Sequence, residues 1–179
     1  RLVLNCMQRM SGIATTAKKY VDAVAGTHAK ILDTRKTTPL LRFLEKEAVR
    51  TGGAHNHRFG LYDMILIKDN HVDSAGGIQL ALEKAKLYIE SKNISIPIEI
   101  ETRNLEEVKE AVISGIPNRI MFDNFPPELI QKALLIVDRK METEASGGIN
   151  LSNVRSYALT GVDCISIGAL THSVKSLDL

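Results

Sequence analysis

No apolar run in the 179 residues approaches the roughly 18 that a membrane-spanning helix needs. No leader with a basic start and an apolar centre is present either, so the sequence carries no secretory signal pattern. Cysteine is scarce. Cys6 and Cys164 stand far apart without CxxC spacing, so two reduced thiols in a cytosolic protein are expected, with a structural disulfide the lesser alternative. An excess of one charge is also missing: the net charge is +2. That is too little to call for nucleic acid or an anionic membrane as the main partner, and neither is expected. Any basic site must come from local clustering.

What is present is ordinary for a globular domain, with 44% apolar and 25% charged residues in a length that suits one core. Ser11-Gly12 reads as a helix start, and Ala14 to Ala25 has apolar Ala17, Val21 and Val24 at helical spacing before Gly26. A short strand is predicted over Ala29 to Asp33. Thr38 then reads as a cap and Pro39 as the first residue of a helix to Arg50, with Leu40, Phe43, Leu44 and Ala48 along one side. Further strands are predicted at Met64–Ile67, Ile94–Glu101, Arg119–Phe122, Thr143–Ala145 and Cys164–Ile167. Helical patterns lie between them: Gly77–Lys92, a helix capped by Asn104 and Glu107, one opened by Pro126, and one from Asn150 to Gly161.

Strand and helix thus alternate six times, which implies βαβ units and a parallel sheet. A complete eight-stranded barrel takes about 250 residues. The expectation is therefore an α/β fold, an incomplete (βα) TIM-like barrel with about six parallel strands. An open doubly wound sheet is the alternative, disfavoured because polar residues follow nearly every strand instead of gathering at one switch point.

In such a barrel the loops after the strands form the reactive face. The densest stretch is Gly52 to His71, where ionisable residues crowd both approaches to a short apolar strand. The strand ends and this stretch supply three chemical kinds. Arg35, Lys36, His57, Arg58 and Lys68 are cationic and together suit a ligand with several negative charges. Glu101 and Asp123 end consecutive strands, and their hard oxygens suit Mg²⁺ shared with substrate phosphates, or pairing with the cations. Ser146-Gly147-Gly148 and Gly168 are small enough for backbone N–H groups to approach a phosphate. Glu99 lies deeper on its strand and reads as structural. His55, His57 and His71 complete no familiar zinc pattern, and His172 follows the last glycine loop.

Three segments, Asp33-Thr34-Arg35-Lys36-Thr37-Thr38-Pro39, Gly52-Gly53-Ala54-His55-Asn56-His57-Arg58 and Ile67-Lys68-Asp69-Asn70-His71, strongly resemble the quinolinate phosphoribosyltransferases. Asn5 to Ala14, Glu99-Ile100-Glu101, Asp123-Asn124-Phe125, Ser146-Gly147-Gly148 and Gly168 to Ser173 extend the resemblance over nearly the whole chain. It implies transfer of phosphoribose from phosphoribosyl pyrophosphate to quinolinate, with loss of CO₂, giving nicotinate mononucleotide on the way to NAD. It also implies roles. Arg35, His57, Arg58 and Lys68 would hold the quinolinate carboxylates, and Lys36 and Lys68 the pyrophosphate. Glu101 and Asp123 would bind the ribose hydroxyls and Mg²⁺, while Ser146, Gly147, Gly148, Gly168 and His172 would cradle the 5′-phosphate. Lys36, Lys68, Glu101 and Asp123 are the residues expected to act in catalysis. Arg1 matches an arginine that reaches a neighbouring subunit's site, so a homodimer or higher homo-oligomer in the cytoplasm is expected. Family members carry an N-terminal α/β domain ahead of the position of Arg1. No part of this sequence corresponds to it, and a fragment holding the catalytic barrel is expected. The competing readings are a Schiff-base aldolase using Lys68, a phosphoribosyltransferase acting on nicotinate, and a catalytically silent phosphate-binding module.

Overall fold

The computed structural model describes all residues, Arg1–Leu179. Fourteen elements follow in the order α1 (Leu2–Ala23), β1 (Lys30–Leu32), α2 (Arg42–Thr51), β2 (Ile65–Ile67), α3 (Asp69–Ala75), α4 (Ile78–Lys92), β3 (Ile98–Thr102), α5 (Leu105–Ser114), β4 (Arg119–Asp123), α6 (Pro127–Val137), β5 (Glu142–Ser146), α7 (Val154–Ala158), β6 (Cys164–Ser166) and α8 (Ala169–His172). All six strands are parallel and run in the order β1-β6-β5-β4-β3-β2. That is a barrel order with one ladder missing, between β1 and β2. The His55 segment partly fills the gap: His55 N–H donates to Ile31 O, and Asp33 N–H donates to His55 O. Towards β2 this segment makes no backbone ladder. The fold is an incomplete barrel with a seam.

Period-two alternation sorts the side chains. On β3 to β6, Ile98, Ile100, Ile120, Phe122, Ala145 and Ile165 face the helices and join a core with Leu82, Val108, Ala111, Ile130 and Ala133. The opposite face points into the barrel and is polar: Glu99, Glu101, Arg119, Asp123, Glu142, Glu144, Ser146 and Ser166 lie on it by strand alternation. Every residue of β3 is buried, so this strand has no solvent face. The strand begins at Ile98, later than the alternation from Ile94 suggests. Asn93 closes α4 in a left-handed turn, and Pro97, which cannot donate to a ladder, precedes the strand.

Four further expectations are corrected. Ser11-Gly12 is not a helix start, because α1 runs through it. Gly12 is needed for the close crossing of the C-terminal segment, where a Cβ would stand 2.2 Å from Lys175 O. α2 starts at Arg42 instead of Pro39, since Thr38 is occupied elsewhere: its N–H donates to Glu45 Oε2 and its hydroxyl accepts from Arg9. The apolar side predicted for this helix is also split, since Ala48 is buried as expected, with Val49 beside it, but the rest is not. Leu40, Phe43 and Leu44 are exposed, while Glu45 and Lys46 are buried and paired with Arg9 and Asp33. α7 is only five residues long, because Asn150, Ser152 and Asn153 bond to one another's backbone ahead of it. The short α3, with one fully buried residue, Val72, has too little apolar patterning to be foreseen.

Candidate active site

The C-terminal ends of the strands surround a cleft of about 600 Å³. Arg35, Lys36, His57, Arg58, Lys68, Glu101, Asp123, Ser146, Gly147, Gly148, Gly168 and His172 all line it. Of the residues expected at a site, only Arg1 lies elsewhere, exposed at the start of α1. A wider concavity of about 1230 Å³ opens at the other end of the barrel, around Asn118, Arg139, Glu142 and Asp163, where no buried unpaired charge is found.

The cationic wall follows β1 and the seam. Arg42 donates to Arg35 O and Thr37 Oγ1, and Thr171 Oγ1 donates to Lys36 O, so the chain carrying Arg35 and Lys36 is fixed from both sides. The His55–Arg58 segment is tied down by a buried ion pair. Lys46 Nζ donates to Asp33 Oδ1 (2.5 Å) and to His57 O (3.0 Å), while Asp33 also accepts from the His57 N–H and from Asn56 Nδ2. Asp33 is raised by burial, against the pull of Lys46, and Lys46 is lowered by burial, against the pull of Asp33. Each is tolerable in the interior only because of the other. The result brings Arg35 and Arg58 to the same wall of the cleft. Arg35 Nε is buried without a partner, and the charge of Arg58 is disfavoured by burial and then by Arg35.

Beneath them the His57 ring lies among protein groups, with Nδ1 hydrogen-bonded and Nε2 buried without an aligned partner. Nδ1 accepts from the Arg58 N–H at 2.7 Å, whereas Nε2 lies 2.9 Å from Glu99 Oε2 and 3.4 Å from Glu144 Oε2. With Nδ1 taken and Nε2 buried against two carboxylates, no His57 nitrogen is open to the cleft for the carboxylate contact implied for it. Burial pulls the imidazole pKa down, but hydrogen bonding and charge from Glu144 and Glu99 outweigh it and raise it to about 9. The Arg58 N–H on Nδ1 opposes that rise, because a second ring proton would meet another N–H there, so the ring proton that the carboxylates hold is the one on Nε2. These three residues could gather around a metal ion, their ligand atoms lying within 4.8 Å of one another. Arg119 already supplies the positive charge there, 2.9 Å from Glu144.

On the acidic wall, Lys68 Nζ donates to Glu101 Oε2 at 3.2 Å. Burial raises Glu101, Lys68 lowers it, and the charges of Asp123 and Asp69 raise it again. Asp123 accepts from Asn124 Nδ2. Two carboxylates on neighbouring strands, one paired with Lys68 and the other with Asn124, form a hard donor set that fits Mg²⁺ held jointly with ligand oxygens. The glycine wall is built by backbone conformation. Gly147 has φ 97°, and a Cβ on it would meet Asn124 Oδ1 at 2.2 Å. Ser166 Oγ donates to Ser146 Oγ, which holds the start of this loop.

Sequence reasoning missed Asp33, Lys46, Arg119 and Glu144. For Glu144 a signal existed: Glu142 and Glu144 alternate with Thr143 and Ala145 just as Glu99 and Glu101 alternate with their isoleucines. Lys46 carries no such mark, because a lysine on an amphipathic helix reads as solvent-facing.

The comparisons with known proteins agree on one family. A model of the quinolinate phosphoribosyl transferase C-terminal domain matches residues 13–179. The chain is 50% identical over its whole length to a probable nicotinate-nucleotide pyrophosphorylase (carboxylating) of Bacillus subtilis, covering 61% of that protein. It is 48% identical to the chloroplastic nicotinate-nucleotide pyrophosphorylase (carboxylating) of Arabidopsis thaliana, covering 55% of it. Among solved structures, the nicotinate-nucleotide pyrophosphorylase from Francisella tularensis superposes with a TM-score of 0.94 at 43% identity, over 99% of this chain and 62% of that one. The chain thus spans less than two thirds of the relatives it matches.

Proposed function

The chain belongs to the quinolinate phosphoribosyltransferases, and we propose that it carries the catalytic barrel that moves phosphoribose from phosphoribosyl pyrophosphate to quinolinate, with decarboxylation, in NAD biosynthesis. The observation that carries this reading is the unpaired Arg35–Arg58 wall facing an acidic and a glycine-rich wall across one cleft.

Each wall has a chemical part. Arg35, Arg58 and Lys68 meet the two carboxylates of the pyridine ring and aim its nitrogen at the anomeric carbon. His57 contributes through Arg58, whose amide it holds. Lys36 and Lys68 attract the pyrophosphate. Glu101 and Asp123 bind the ribose hydroxyls and would hold Mg²⁺, which neutralises the leaving pyrophosphate when bound. Ser146, Gly147, Gly148 and Gly168, with His172, receive the 5′-phosphate. Displacement at the anomeric carbon builds oxocarbenium character, so fixed charge matters more than a strong base. No covalent nucleophile is required. Once the ring nitrogen is ribosylated, the cationic ring accepts the electron pair left by departing CO₂.

The assembly proposed is a homodimer or higher homo-oligomer with Arg1 reaching a partner's site, and exposed Leu2, Val3, Met7 and Phe43 support it. A cytoplasmic setting belongs to the same proposal. The free Cys6 and Cys164 suit a reducing compartment, though the Arabidopsis relative is named chloroplastic.

The test is a substrate comparison with the full-length protein, Mg²⁺ and phosphoribosyl pyrophosphate. Nicotinate mononucleotide and CO₂ from quinolinate are the expected products. Turnover of nicotinate but not of quinolinate would sink the assignment.

A further inference from the structure

Two buried carboxylates lie under the cleft with no role in the chemistry above. Glu99 and Glu144 are both fully buried, and both oxygens of Glu99 and one of Glu144 lack an aligned donor. Arg119 approaches Glu144 at 2.9 Å and Glu99 at 3.8 Å, but it also serves Glu142 at 2.7 Å. Buried acceptors left this poor in donors are costly, and a core of apolar side chains would avoid the cost. Besides Arg119, the pair faces His57 Nε2, 2.9 Å from Glu99 and 3.4 Å from Glu144, buried between them without being aligned on either.

That placement settles which ring nitrogen carries the proton. A histidine proton goes to the nitrogen whose neighbour can accept it, and both neighbours of Nε2 are carboxylates. Nδ1 is then left bare and takes the Arg58 N–H at 2.7 Å. Were the proton on Nδ1, it would point at another N–H, and the contact would become repulsive. On its other side the chain after Arg58 is held by Asp63, which accepts from the Phe59 and Gly60 N–H groups. The Arg58 guanidinium reaches Met64 O at 3.3 Å, repelled by Arg35 and drawn by Glu99 and Asp63. The peptide of His57 is already fixed by Asp33 and Lys46, so the ring has no freedom to adapt.

Resting on the phosphoribosyl-transfer reading above, we propose that Glu99 and Glu144 are positioning residues for the acceptor half of the site. Acting through His57, they set the Arg58 main chain so that its guanidinium meets the pyridine carboxylate. The pair acts on acceptor binding and leaves the ribose-phosphate half alone.

The test uses the full-length protein with Glu99→Gln, Glu144→Gln and the double variant. Each single variant is expected to raise KM for quinolinate about ten- to hundredfold, the range seen when an outer partner of a working histidine is removed. KM for phosphoribosyl pyrophosphate should stay within about twofold, and the double variant should add little, since both act through one ring. A ¹⁵N histidine spectrum of the wild-type protein should show His57, identified by its loss in His57→Asn, with Nδ1 bare and Nε2 protonated. A protonated Nδ1 in the wild type would overturn the proposal even if the variants fail to fold. Quinolinate turnover with unchanged acceptor KM in the folded variants would overturn it alone, whereas wild-type protein inactive on quinolinate would overturn the underlying reading as well.

Discussion

Arg35 is the residue on which the substrate reading presses hardest. Its Nε is buried without an acceptor, and its neighbour Arg58 is another cation whose charge is disfavoured by burial, so an anion in the cleft would meet a donor that the protein leaves unused. Removing the side chain should therefore cost binding more than folding. Arg35→Ala is expected to lower kcat/KM for quinolinate by about 30- to 1000-fold, corresponding to roughly 2–4 kcal/mol for a lost desolvated charge contact. Its melting temperature should stay near that of the wild type. Steady-state kinetics beside a thermal melt would check both; a large drop in stability with unchanged kinetics would contradict the assignment. Arg35→Lys should not restore activity, because a single ammonium cannot present the planar fork.

Among the elements, α2 departs most from its sequence pattern, and the departure explains its use. Phe43 and Leu44 look outward while Lys46 points inward to Asp33, on the buried side with Ala48 and Val49. Lys46→Met leaves Asp33 buried without its counter-charge, and a loss of about 3–5 kcal/mol is expected. Asp33→Asn combined with Lys46→Met should recover part of that loss, because the stranded charge is gone. Chemical denaturation of the three proteins gives the comparison; a double variant no more stable than Lys46→Met would refute the coupling. The same pair shows where sequence reading stops. Strand ends were legible because alternation along β3 separates Ile98 and Ile100 from Glu99 and Glu101, and because Lys68, Glu101, Asp123 and Ser146 each stand at or just after a strand. Asp33 and Lys46 were not, since each takes its meaning from a partner on another element. No local period announces such a pair. The helix starts failed for a related reason: Thr38 carries a proper cap signal, but Arg9 and Glu45 compete for it.

For the whole molecule, the polar barrel interior makes stability depend on pH. Glu99 is pushed up to about 7 from its ordinary 4.5 by burial and then by the charge of Glu144, against His57 and Arg119. A raised value means that the folded state binds the proton more tightly than the unfolded chain. The stabilisation is present in full below pH 4.5 and is lost as pH rises through about 7. It amounts to at most about 3 kcal/mol. Thermal melts from about pH 4 to 8 should therefore show this fall in melting temperature across that window, and Glu99→Gln should lack it. A flat profile in the wild type would mean that the cluster does not hold its proton.

The missing ladder between β1 and β2 also bears on how freely this sequence can drift. A backbone ladder is indifferent to the side chains it joins, so β3, β4 and β5 can exchange residues of similar shape and keep their register. Along the seam Lys46, Asp33 and Asn56, with two backbone bonds at His55, tie the inserted segment to the β1 side, and Arg58 Nη1 reaches Met64 O just ahead of β2. There, identity and not mere shape keeps the barrel shut. The part of the wall most tightly bound to its own amino acids is also the part that carries Arg35 and Arg58, so the freedom to change substrate and the freedom to stay closed are limited by the same few positions.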